Sequence, residues 1–224
     1  MSRHRRLAPP VLVIALASAL VGCGADAPES SSAGPSTTAA VKGIQRDEPL
    51  QVGDVEVPDV TGNPTEPPVF RMAAEPGHLL VAYFGYTQCP DVCPTSLAAL
   101  RRAYSSIDAE RAARIDTAMM TVDPRRDTPE ILTTYLSGFF DDRYHALRTM
   151  NMELLQSTED RFLASSNIVY ATDGTPEVSH TGTTYAVDSD GTVLVEWPFG
   201  TNAKEIAADL DRLFDDIDQH QEAS

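Results

Sequence analysis

Apolar residues in this chain come in short runs separated by turn formers, and the period of each run predicts an element. His78–Tyr86 (HLLVAYFGY) is apolar almost without a break. Its length and its β-branched and aromatic content predict a buried central strand. Thr95–Ile107 places Leu97, Leu100 and Tyr104 on one face. That is helical spacing, and Pro94 suits the first turn, where a missing N–H costs nothing. Ile115–Val122 reads as a second buried strand. Asp127-Thr128-Pro129-Glu130 has the form of a helix start, with Asp127 as the N-cap, Pro129 in the first turn and Glu130 closing the capping box. Ile131, Tyr135 and Leu136 continue that helix. Met152 to about Ser165 predicts another helix, and Asn167–Ala171 a short strand. Thr183–Val187 and Thr192–Trp197 flank Asp188-Ser189-Asp190-Gly191, which predicts a β-hairpin with a turn longer than two residues. Ala203–Ile217 closes the series as an amphipathic helix through Ile206, Leu210, Leu213 and Ile217. This order predicts an α/β domain of three layers, a mixed central sheet flanked by helices.

Outside this domain the pattern changes. Arg3, Arg5 and Arg6 precede an apolar stretch from about Leu7 to Val21, then Gly22 and Cys23. A basic flank, an apolar core and a small residue before a processing point describe a secretory signal. The apolar stretch is short for a bilayer span, which needs roughly 20 residues. Leu20-Val21-Gly22-Cys23 has the form of a bacterial lipobox, so residues 1–22 are expected to be a lipoprotein signal peptide and Cys23 the lipidated N-terminus. Residues 23–48, rich in Ser, Ala, Thr, Pro and Gly, are expected to be a flexible tether. The folded domain is then expected over residues 49–218, with a polar tail at 219–224.

Charge narrows the partners. The chain carries −16, and removal of the signal leaves 14 basic against 33 acidic residues, or −19. Such a surface repels nucleic acid. The expected location is the outer face of a bacterial cell membrane.

Two cysteines remain for the domain, Cys89 and Cys93, in the run Gly85-Tyr86-Thr87-Gln88-Cys89-Pro90-Asp91-Val92-Cys93-Pro94. A strand leading into a cysteine and then a helix is how thioredoxin-like folds present their thiols. A purely structural disulfide here would close a loop of about five residues and stabilise by roughly 2 kcal/mol. The alternatives are a redox-active pair and a metal site. Both draw on the helix N-terminus, which is expected to stabilise a thiolate and lower the thiol pKa. Two thiolates suit Cu(I), and an added imidazole suits Cu(II) as well. Zinc would need two further ligands.

Of the histidines, His78 begins the strand that ends near the thiols and so lies about 25 Å away, at about 3.3 Å per residue. His145 falls in a stretch without clear period, and His220 in the polar tail. His180 sits in a Ser-His-Thr-Gly turn just before the hairpin. Asp123 ends the second strand on the side of the thiols, as a turn former before Pro124 or as a partner that orients a histidine. Met119 and Met120 lie inside a buried strand and read as core.

Three blocks in order resemble the Sco/SenC family: YFGYTQCPDVCP followed by Thr95-Ser96-Leu97; Thr121-Val122-Asp123-Pro124-Arg125-Arg126-Asp127-Thr128-Pro129-Glu130; and Val178-Ser179-His180-Thr181 leading to Tyr185-Ala186-Val187-Asp188-Ser189-Asp190-Gly191. The resemblance implies a thioredoxin-like fold and one copper, Cu(I) or Cu(II), held by Cys89, Cys93 and His180. It also implies a role in assembling the dinuclear copper centre of cytochrome c oxidase. The expected partners are a copper-accepting subunit of a terminal oxidase, a thiol reductant protein, and the membrane through Cys23. Two rival functions use the same thiols: a thiol–disulfide reductase acting on the oxidase subunit's cysteines, and a redox or copper sensor.

Overall fold

The structure, a computed structural model, describes residues 41–222. Cys23, the signal and most of the expected tether lie outside the described residues. The elements are β1 (Glu56–Pro58), β2 (Val69–Arg71), β3 (Leu79–Gly85), α1 (Val92–Tyr104), α2 (Ala109–Ala112), β4 (Ile115–Thr121), α3 (Pro129–Ser137), β5 (Tyr144–Leu147), α4 (Met152–Arg161), β6 (Ser166–Tyr170), β7 (Pro176–His180), β8 (Thr184–Val187), β9 (Val193–Trp197) and α5 (Ala203–Glu222).

The five-stranded sheet has the order β5-β4-β3-β8-β9. β3 runs parallel to β4 and antiparallel to β8, so the sheet is mixed, as the element order predicts. Every residue of β3 is buried, which is why its sequence is apolar throughout rather than alternating. α1 packs against α5, and α3 against β5. This is a thioredoxin-like α/β fold, a mixed central sheet flanked by helices. Among the described residues, no helix is long and apolar enough to cross a membrane.

Segments that the apolar pattern did not resolve close the sheet's two edges. Ile44 bridges Glu196 and Gln51 bridges Thr192 along β9; Asp59 bridges Leu147 on β5. Both flanking stretches thereby cover exposed strand edges. Residues 42–46, expected in the tether, are thus attached to the domain. The main-chain N–H groups of Lys42 and Gly43 donate to the buried Asp209 carboxylate at 2.5 and 2.8 Å, which also accepts from the Trp197 indole at 2.9 Å. The β8–β9 turn meets this segment at Gly191, whose φ of +81° and contact with the Gly53 backbone leave no room for a side chain. β1, β2 and β5 are too short to print a period on the sequence, and α5 extends to Glu222 where a polar tail was expected.

Asp209→Ala leaves three donors without their acceptor, two of them holding the N-terminal segment. The expected cost is roughly 3 kcal/mol, a fall in Tm of about 6–12 °C for a domain of this size. Thermal unfolding followed by circular dichroism checks it.

Candidate metal centre

β3 ends at Gly85 because the chain there meets the site. A Cβ at Gly85 would lie 3.0 Å from Cys93 Sγ and 2.7 Å from the Tyr83 ring. The loop that follows turns back with the Cys89 N–H donating to the Tyr86 carbonyl at 3.3 Å, and α1 starts at Val92. Asp91 stands at the N-cap, yet its side chain accepts nothing from the helix backbone; it accepts from the Thr95 hydroxyl at 3.2 Å. The Cys89 sulfur takes the capping position instead, accepting the Cys93 N–H at 3.3 Å. One of the helix's orphan donors is thereby aimed at the first ligand atom.

A buried carboxylate clamps this loop. Asp127 accepts from the Thr87 N–H at 3.1 Å, from the Thr87 hydroxyl at 2.6 Å, and from the Thr121 hydroxyl at 2.6 Å. Burial pushes its carboxyl up, opposed by the hydroxyl and N–H donors. The N-cap of α3 is therefore Thr128, which accepts the Ile131 N–H at 3.4 Å, and not Asp127 as the capping-box pattern suggested. Burial turned that side chain inward; the pattern alone gives two adjacent residues able to cap.

His180 arrives from an element the sequence reading did not assign. β6 and β7 form a separate two-stranded hairpin in which Ser166 pairs with His180, so the histidine ends a strand rather than sitting in a turn. Its Nδ1 lies 2.9 Å from the Thr181 carbonyl and its Nε2 3.4 Å from Cys93 Sγ. Burial pushes the imidazole down from its usual range, against the Thr181 and Phe84 backbone contacts. Burial thus favours the neutral ring. With Nδ1–H donating to Thr181, the Nε2 lone pair faces the sulfur, a tautomer inferred from the hydrogen-bond pattern. Tyr83 and Tyr86 meet the ring edge-on at 6.1 and 5.7 Å between centroids.

The structure therefore brings Cys89, Cys93 and His180 together, their ligand atoms all within 4.8 Å of one another. Ligands bonded to one ion at roughly 2.0–2.3 Å sit about 3.5–4 Å apart, so one soft metal fits after small movements. Among the described residues, no other cluster of histidine, cysteine or carboxylate groups does this. Both cysteines are free and buried. Burial pushes the Cys93 thiol up to about 12, helped by the neighbouring Cys89 and opposed by contacts from Tyr83 and Tyr86. The expectation that the helix N-terminus lowers the thiol pKa fails for Cys93. Desolvation of a fully buried sulfur outweighs the helix end.

Asp123 is placed at the end of β4, buried, but it pairs with the Arg126 guanidinium. The His180 Nδ1 is taken by the Thr181 carbonyl, so no hydrogen bond joins Asp123 to the histidine among the described residues. Arg126 also donates to Gln88 Oε1 at 3.3 Å and stacks over Tyr86 at 5.7 Å, which braces the cysteine loop from outside. Met119 and Met120 are buried in β4. His145 pairs with Asp59 at 2.7 Å, on β5 and apart from the cluster.

The sequence and the fold have known counterparts. A family model described as SCO1/SenC matches residues 60–215. An SCO2-like protein of Rickettsia felis is 31% identical over 156 residues, 69% of this chain and 72% of that protein. One from Rickettsia prowazekii is 33% identical over 138 residues, 58% of this chain and 63% of that protein. Bradyrhizobium japonicum ScoI, solved with copper bound, superposes with a TM-score of 0.58 at 28% identity, over 77% of this chain and 99% of that one. Apo Sco1 of Thermus thermophilus shares the fold, with a TM-score of 0.61 at 24% identity over 82% of this chain and 98% of that one. The chain belongs to the SCO1/SenC family.

The buried, protonated Cys93 makes metal uptake proton-coupled. A metal must displace its proton at every pH below about 12, so apparent affinity rises with pH, by about tenfold per unit for each proton displaced. Competition titrations with a chelator of known pH dependence between pH 6 and 8 are expected to show at least that slope.

Proposed function

We propose that this protein binds one copper ion through Cys89, Cys93 and His180 and delivers it to the dinuclear copper centre of cytochrome c oxidase during assembly. The observation that carries this reading is the imidazole. Disulfide exchange needs only the two thiols, whereas the neutral Nε2 aimed at Cys93 Sγ from 3.4 Å adds a third donor suited to copper. The copper in Bradyrhizobium ScoI, on the same fold, supports the choice of metal.

Copper is cargo here, and the residues set the terms of its loading and release. Both thiols must be reduced, because a disulfide offers no thiolate; a thiol reductant protein supplies that state. On loading, the Cys93 proton leaves and the contact between its sulfur and His180 gives way to the metal. On release, the high proton affinity of Cys93 favours its reprotonation, which opposes rebinding. The acceptor is the copper-binding subunit of the oxidase. Lipidation at Cys23 would hold the domain on the extracytoplasmic face of the cell membrane, where a tether raises the effective concentration of donor near acceptor.

His180→Ala is expected to abolish Cu(II) binding and to leave disulfide exchange by Cys89 and Cys93 intact. Oxidase copper loading in cells carrying this variant is expected to fall to the level of a deletion. Full oxidase assembly with His180→Ala would instead identify the protein as a thiol–disulfide reductase for the acceptor's cysteines.

A further inference from the structure

Tyr83 lies on β3 directly behind the site and touches two of its three ligands. Its side chain is 0% exposed, and its hydroxyl has no partner of regular hydrogen-bond geometry among the described residues. A buried hydroxyl left that way is costly and calls for an explanation, of which a bound ion beside it is one. The polar groups around it are the Cys93 sulfur and the Ser96 hydroxyl on the second turn of α1. The ring edge meets His180 at 6.1 Å. Gly85 keeps the space between them open, since a Cβ there would strike both the Tyr83 ring and Cys93 Sγ.

We infer that Tyr83 is a positioning residue for the metal centre, its hydroxyl donating a hydrogen bond to the Cys93 sulfur once that sulfur is a metal-bound thiolate. In the metal-free protein Cys93 Sγ lies 3.4 Å from His180 Nε2, and a neutral thiol is a weak acceptor. When a metal replaces that proton, the sulfur carries charge in a dry pocket and becomes a strong acceptor. Tyr83 is then the buried donor beside it, with Ser96 free to donate to the phenol oxygen from the other side. The unsatisfied hydroxyl of the metal-free state is thus satisfied by loading, and the two ligands that Tyr83 touches are held in one arrangement.

This inference rests on the copper-binding reading, and the experiment separates the two. Tyr83→Phe keeps the ring and removes only the hydroxyl. The wild type and the variant are loaded with Cu(II) after thiol reduction, and stoichiometry, the thiolate-to-copper charge-transfer band and the dissociation constant are measured. A hydrogen bond lowers the energy of the sulfur donor orbital. The variant is therefore expected to bind one equivalent with its band at longer wavelength and its affinity down by roughly tenfold, the size of one charge-assisted hydrogen bond. An unshifted band with unchanged affinity in the variant overturns the role of Tyr83 and leaves copper binding standing. Failure of the wild type to bind copper overturns both. If the variant does not fold, the Cu(I)-loaded wild type decides. A slowly exchanging Tyr83 hydroxyl proton, close to the Cys93 β-protons by NMR, supports the hydrogen bond, and a freely exchanging hydroxyl refutes it.

Discussion

The cysteine loop of the candidate metal centre depends on a buried carboxylate that never touches the cysteines. Asp127 accepts the Thr87 N–H and hydroxyl from the cysteine loop and the Thr121 hydroxyl from the end of β4. Those bonds tie the loop to the parallel strand pair at the middle of the sheet. The loop carries Cys89, and Cys89 in turn receives a free N–H from the first turn of α1, that of Cys93. Without that clamp the loop that carries Cys89 loses its buried tie to the sheet. With it, that loop is placed by the most deeply buried strands of the fold.

The second constraint is dryness. Cys93 is 0% exposed and Cys89 only 8%, and aromatic edges from Tyr83 and Tyr86 close over His180. Burial acts on the two kinds of ligand in opposite senses. It keeps the imidazole neutral, which readies it for a metal, and keeps the Cys93 thiol protonated, which makes it reluctant. A pocket built this way holds metal only in exchange for a proton. That suits a carrier better than a permanent structural site, because the same proton that leaves on loading can return on release.

Much of this was legible in the sequence, for identifiable reasons. β3 is buried throughout and therefore reads as an unbroken apolar run, and β4, buried except at Asp116, as a largely apolar one; α1 and α5 print their periods through Leu97 and Leu100 and through Ile206, Leu210 and Leu213. Cys89, Cys93 and His180, which the structure brings together, were marked by residue type and by the family blocks around them. The β6–β7 hairpin was only half seen, because its burial is too shallow to give its strands a strong alternation. β5 and the edge-covering segments are short and take their form from partners distant in the chain. Asp127 was misplaced for a different reason. An acid before Thr-Pro-Glu satisfies the local rule for a cap, and nothing local reveals that Thr87, forty positions earlier, claims its oxygens. Asp123 shows the same limit: its partner is the nearby Arg126, and the histidine is oriented by its own neighbour's carbonyl.

The central claim is that two sulfurs and one imidazole bind a single copper ion together. X-ray absorption on the Cu(I)-loaded protein, beside its metal-to-protein ratio, tests this most directly. The account predicts one copper per chain with two sulfur scatterers and one imidazole nitrogen in the first coordination sphere. A sphere of sulfur alone, or copper bound without a fixed ratio, would contradict it.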